Sequence, residues 1–114
     1  MAKSFNAVTL DVTFRHTEPT EAIKKHAEQK ILSVVEKYTE AGADIHVVLL
    51  VEKRDHTAEV NFRSHRFDAT ARATAPDLYT AIDQVAHTLI TQIRKQKEKI
   101  SDHRPSEVIQ EATT

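Results

Sequence analysis

Cysteine is absent from this 114-residue chain, which excludes disulfides, thiolate metal sites and cysteine nucleophiles. Tryptophan is absent too, and two tyrosines and four phenylalanines leave a core that must be mainly aliphatic. The only glycine is Gly42, so there is no glycine-rich phosphate loop. No apolar run approaches the roughly 18 residues of a membrane span. Met1 to Asn6 lacks the apolar stretch of a secretory signal, so the expected location is the cytoplasm. Neither sign of charge dominates: 16 Lys and Arg against 17 Asp and Glu give a net charge of −1. Proteins that neutralise many phosphates usually carry a basic excess. Any polyanion-binding surface here must therefore be local, with the acids placed elsewhere.

What is present fits a single soluble globular domain with one core. Val8, Leu10, Val12 and Phe14 alternate with Thr9, Asp11 and Thr13 in the second half of Phe5 to Phe14, the pattern of a half-buried strand. Pro19 breaks it, and Thr20 is placed to cap a helix with Glu21 in its first turn. Ile23, Ala27, Ile31, Val34, Val35 and Tyr38 then mark an amphipathic helix ending near Thr39, before Gly42. Ala43 to Lys53 is the densest β-branched and aliphatic run and reads as a central strand. Asp55 is expected in the following turn. His56 to Arg63 and Arg66 to Thr74 read as two further strands joined near Ser64 and His65. In the last of these, Phe67, Ala69, Ala71 and Ala73 face the core, and the small alanines leave room for a helix to lie close.

Asp77 is placed to cap a last helix running to Ser101, with Tyr79, Ile82, Ala86, Leu89, Ile93 and Ile100 in one stripe. At about 1.5 Å per residue this helix reaches about 37 Å, whereas a nine-residue strand spans only about 30 Å. Its basic end should overhang the sheet. The order predicts an α+β two-layer sandwich, β-α-β-β-β-α, with both helices on one face of a four-stranded mixed sheet. A right-handed first crossover makes the first two strands parallel. Residues 1–104 are expected to form this domain. The remainder, 105–114, has no stable periodicity and is expected to be a flexible tail.

Charge is sorted by face. His26, Lys30, Ser33 and Lys37 fall in one row beside the first helix's stripe, while Glu21, Glu28 and Glu36 fall outward. Lysines beside a core stripe arise simply because their stems snorkel. The row gains interest because the last helix ends in Arg94, Lys95, Lys97 and Lys99, with Lys95 and Lys99 one turn apart on its solvent side. Glu98 can pair with Arg94 at i, i+4, the bland account of part of this cluster. Glu52 to His56 is a charged turn. The seven histidines include no His-x-His or His-Glu-x-x-His and no supporting acid cluster, so neither a metal nor any other cofactor is expected. No nucleophile motif and no paired catalytic carboxylates stand out, and Asp83 is expected to make a structural hydrogen bond.

Three stretches together resemble a known family: Val12 to Ile31, Ile45 to Val60, and Leu78 to Asp83 followed by Gln92 to Lys99. The pairing of Val51-Glu52-Lys53…His56-Thr57-Ala58-Glu59 with Tyr79-x-Ala81-Ile82-Asp83 in this order is fairly specific. The set resembles the ribosome hibernation promoting factors, also called ribosome-associated inhibitor or sigma-54 modulation proteins, in their short form, from about Phe5 to Arg104. The resemblance implies a shape like that of double-stranded-RNA-binding domains and no enzymatic activity. It implies binding to the small ribosomal subunit in the channel for messenger and transfer RNA, inhibiting translation in stationary or stressed bacterial cells. Ribosomal RNA, and ribosomal proteins beside it, would be the partners, met mainly through phosphates and shape. The matching positions are Lys24, Lys25 and Lys30 in the first helix, Lys53, Arg54 and His56 in the turn, and Arg94, Lys95, Lys97 and Lys99 in the last helix. A competing expectation is a protein-interaction module that regulates a transcription factor. An enzymatic reading rests on the histidines alone.

Overall fold

Both helices start where the sequence supplies a side-chain acceptor. The computed structural model describes residues 7–102, with side chains through Lys99. Strand β1 (Val8–Arg15) leads to helix α1 (Glu21–Val35). Ile23 N–H donates to Thr20 Oγ1 at 3.3 Å, which satisfies one of the otherwise unpaired amides of the first turn, and Lys24 N–H donates to the Thr20 carbonyl at 3.0 Å as the first helical bond. Helix α2 (Leu78–Asp102) starts on Asp77, whose Oδ1 accepts from Thr80 N–H at 2.8 Å and whose Oδ2 accepts from the Thr80 hydroxyl at 2.9 Å. Between the helices lie β2 (Ala43–Glu52), β3 (Asp55–Ser64) and β4 (Asp68–Ala75).

The Thr80 bonds, with a smaller contribution from the nearby His56 charge, hold the Asp77 carboxyl below its ordinary 3.8. A depressed carboxylate contributes stability that is present above its unfolded value and lost as pH falls through its folded value. Asp77→Ala is therefore expected to lower the urea midpoint at neutral pH. The gap between variant and wild type should then narrow only below pH 3.8. Urea titrations at a series of pH values check this, and a gap that is constant down to pH 2 would refute the cap's ionic character.

The sheet order is β1-β2-β3-β4, with β1 parallel to β2 and the other pairs antiparallel. The mixed sheet and two-helix layer follow the sequence expectation. One face of the sheet carries three apolar rows across all four strands: Leu10-Ile45-Phe62-Ala69, Val12-Val47-Val60-Ala71 and Phe14-Leu49-Ala58-Ala73. The helices cover it with Ala27, Ile31 and Val35 from α1 and Leu78, Ala81, Ile82, Val85, Ala86, Leu89 and Ile93 from α2.

Several details differ from expectation. Asp55 is not in the turn: it pairs with Glu52 and opens β3, leaving a two-residue loop of Lys53 and Arg54. Lys53 adopts φ 57°, a left-handed conformation that costs a residue with a Cβ about 1–2 kcal/mol, so it ends β2 rather than belonging to it. Tyr79 is 43% exposed because the sheet and α1 flank α2 on two sides, and Leu78, Ala81 and Val85 fill the inward positions. Val8 is exposed at the start of the edge strand. Past Val35, α1 tightens into a 3₁₀ turn, Glu36–Tyr38. The Phe5 start of the first strand, the Ile100 side chain and the 105–114 tail lie outside the described residues.

Candidate nucleic-acid interface

Strands β1 and β4 lie at opposite edges of the sheet but both finish at its same end, so α1 and α2 both start there and run side by side in parallel. Contacts between them keep a nearly fixed offset. The His26 ring meets Tyr79 edge-on at 5.1 Å, His26 Nε2 donates to Asp83 Oδ1 at 2.8 Å, and Lys97 Nζ lies 6.0 Å from the Tyr38 ring centre. Asp83 is thus the structural hydrogen-bonding residue that its position at the stripe's edge suggests. Lys30 Nζ also reaches the same Asp83 oxygen at 4.0 Å. Further along, Ser33, Val34, Lys37, Tyr38, Ile90 and Arg94, together with the acid Glu36, line an outward groove of about 420 Å³ between the helices.

Gln96 marks where α2 leaves the sheet. Its Nε2 donates to the Asp68 carbonyl at 2.7 Å and its Oε1 accepts from Asp68 N–H at 3.2 Å, which ties the helix to the first residue of β4. The six residues after it, about 9 Å of helix, run beyond this last tie to the sheet. Arg94 and Lys95 precede the overhang; Lys97 and Lys99 are on it. Lys95, Lys97 and Lys99 are exposed, as is Arg94.

The remaining expected residues gather at the other end. Lys53 and Arg54 form the β2–β3 loop, and His56 Nδ1 donates to the Arg54 carbonyl at 3.3 Å. Lys24 and Lys25 stand in the first turns of α1 at this same end. Two helix N-termini add partial positive charge here. Acids are interleaved, however: Glu21, Glu52, Asp55 and Asp77 share this end. Arg94 lies 16 residues along α2 from Leu78, or about 24 Å. The ten expected positions therefore form two clusters at opposite ends of the helical layer, with Lys30 between them, rather than one compact patch.

The opposite face of the sheet pairs most of its own charges, although Arg15 there has no carboxylate within 4.0 Å among the described residues. Its four rows each contain a cross-strand polar pair. Thr9 donates to Asp44 at 2.6 Å, His46 to Asp11 at 3.0 Å, and Thr70 to Asn61 at 2.9 Å. Arg72 meets Glu59 at 3.1 Å, Arg63 meets Asp68 at 3.5 Å, and Thr57 and Thr74 share a hydrogen bond of 3.0 Å. Among the described residues, Lys30 is the only one of the ten expected positions with a carboxylate within 4.0 Å. The Arg94–Glu98 pair allowed by their spacing does not form; Arg94 turns toward the α1 groove instead. No group of three or more His, Asp or Glu with metal-binding geometry occurs among the described residues.

Sequence reading missed a part of the basic surface. Lys37 stood in the row beside the first helix's stripe, His65 in the strand connection, and Arg66 at the start of the following strand, which instead begins at Asp68. The fold brings these three to one cleft below the end of α1. Adjacent basic residues in a short loop were the only available signal.

A sequence model of the family described as "Sigma 54 modulation protein / S30EA ribosomal protein" matches residues 10–101. The ribosome hibernation promoting factor of Escherichia coli is 32% identical over 94 residues, which cover 82% of this chain and 98% of that protein. The N-terminal domain of Thermus thermophilus Protein Y superposes with a TM-score of 0.68 at 25% identity, covering 78% of this chain and 97% of that one. A ribosomal subunit interface protein from Coxiella burnetii gives a TM-score of 0.69 at 21% identity with the same coverage, a likeness of fold.

Proposed function

We propose a function from one premise, that this chain belongs to the sigma 54 modulation protein / S30EA ribosomal protein family: it is a ribosome hibernation factor. It binds the small ribosomal subunit in the channel for messenger and transfer RNA, and it inhibits translation by occupying that space in stationary or stressed cells. It acts in the cytoplasm as a steric block and not as an enzyme. The curated relative from Escherichia coli carries hibernation in its name. The reading as a module regulating a transcription factor has no comparable support.

The observation that carries this reading is the unequal use of cations on the two faces. Arg63 and Arg72 on the open sheet are matched by carboxylates and Arg15 there is not, whereas on the helical side Lys30 alone is matched and Lys37, Arg94, Lys95, Lys97 and Lys99 have no carboxylate within 4.0 Å among the described residues. Unmatched exposed cations are the ones that release counterions on meeting phosphate. A chain with net charge −1 can then bind RNA by one side while its open sheet, where acids and arginines are mixed, faces away. No helix among the described residues is long and apolar enough to cross a membrane.

Sedimentation with purified small subunits at a series of salt concentrations tests the reading. The chain should travel with the subunit at low salt and be released steeply as salt rises. Binding that ignores salt, or never occurs, would overturn it.

A further inference from the structure

The loop after α1 and the β3–β4 loop enclose a half-open cleft of about 110 Å³ at the end of the molecule where α2 overhangs. Lys37, His65 and Arg66 stand at this cleft with one acid, Glu40. Neither Lys37 nor Arg66 nor the His65 ring has a carboxylate within 4.0 Å among the described residues. The wall is aromatic and rigid. Tyr38 and Phe67 meet edge to face at 5.4 Å and 85°, and the Arg66 guanidinium lies over the Phe67 ring, 5.8 Å from its centre. Ser64 N–H donates to the Phe67 carbonyl at 2.8 Å, and Phe67 N–H donates to Ser64 Oγ at 3.1 Å, which closes the ends of the loop on each other. Gly42, at φ 93°, lines the opposite side without a side chain, in a conformation a Cβ would disfavour.

We propose that this cleft holds one nucleotide unit of a single-stranded RNA segment, with the phosphate against Lys37 and Arg66 and the base stacked on the outer face of the Arg66 guanidinium. Bases stack on arginine planes and aromatic rings in single-stranded RNA recognition. Lys97, over the far side of Tyr38, joins the cleft to the basic end of α2, so one strand can follow both. The proposal rests on the ribosome-binding reading for its biological setting, but its chemistry is testable without ribosomes.

The full chain and the double variant Lys37→Ala/Arg66→Ala are titrated with a labelled uridine hexanucleotide, with amide spectra recorded to verify the fold. Wild type should bind the hexanucleotide with amide shifts concentrated at Lys37–Gly42 and Ser64–Phe67. The variant should bind roughly tenfold more weakly, with its salt slope reduced by about one. Equal binding by wild type and variant, or amide shifts that bypass the cleft, would overturn the site. Uridine monophosphate binding as tightly as the hexanucleotide would overturn the polymer assignment, and hexaglutamate doing so would point to an acidic protein segment instead. Hexanucleotide binding in the cleft by a chain that does not sediment with small subunits would leave the cleft standing and overturn the hibernation reading. Ribosome and oligonucleotide binding both unchanged in the variant would overturn the cleft alone.

Discussion

Replacing Lys95 and Lys99 together by glutamate is expected to weaken binding to the small ribosomal subunit by at least about a hundredfold and to lower the salt slope by about two. Both side chains are exposed, neither has a carboxylate within 4.0 Å among the described residues, and the last fully buried side chain described before them is Ile93. The fold does not lean on them. Glutamate and lysine have similar helix propensity, and two acids near the C-terminal end of a helix oppose its dipole by only about 0.3–1 kcal/mol each. Sedimentation with small subunits measures the first effect and a thermal melt followed by circular dichroism the second. Arg63→Ala, on the self-paired open sheet, is the control that should leave ribosome binding within about twofold. If the double variant binds as wild type does, Lys95 and Lys99 are not part of the interface. The reading would then have to rest on the Lys53–Arg54 end, where acids are interleaved.

The two clusters differ in how far the sequence revealed them. Each helix in projection sorts its own residues by face, which is enough to place Lys95 and Lys99 toward solvent and Asp83 at the edge of the stripe. Projection cannot say that α1 and α2 lie parallel. That follows only once β1 and β4 finish at the same end of the sheet, and it is what sets Lys37 beside Arg94 and Lys97 over Tyr38. The Thr20 and Asp77 caps were legible because capping depends on short-range chemistry. The Lys53–Arg54 loop was not: two-residue hairpin loops usually advertise themselves with Asn or Gly, and here a lysine takes the positive φ instead. Tyr79 was misplaced for a third reason. A helix flanked by both a sheet and another helix buries a wider arc than a single stripe, so Leu78, Ala81 and Val85 displaced it. The Lys37–His65–Arg66 cleft depends on two loops distant in sequence meeting, and no periodicity reports that.

Phe62→Ala is expected to destabilise the domain by about 3–5 kcal/mol, a large share of the about 5–15 kcal/mol that holds a typical domain folded. Phe62 is fully buried in the row Leu10-Ile45-Phe62-Ala69 and is the largest of the fully buried side chains described. Its surroundings cannot close over a cavity easily. The β4 side of this face is built from Ala69, Ala71, Ala73 and Ala75, which have no length to extend into the space, and the strands on either side are fixed by ladder hydrogen bonds. The same small residues that let α2 lie close to the sheet thus concentrate packing in one aromatic ring. Urea unfolding should show a midpoint lower by about 2 M with little change in slope. Leu32→Ala, at a 39% exposed position on α1, should stay within about 0.5 kcal/mol of wild type. The two kinds of variant also separate at the ribosome. Loss of Phe62 reduces the folded population but leaves every cation in place, so the surviving bound fraction should keep the wild-type salt slope, whereas charge reversal on α2 lowers the slope and spares the fold. A Phe62→Ala chain that stayed stable but bound with a reduced salt slope would mean that the core and the basic surface are coupled, contrary to a rigid two-layer scaffold carrying its cations on the outside.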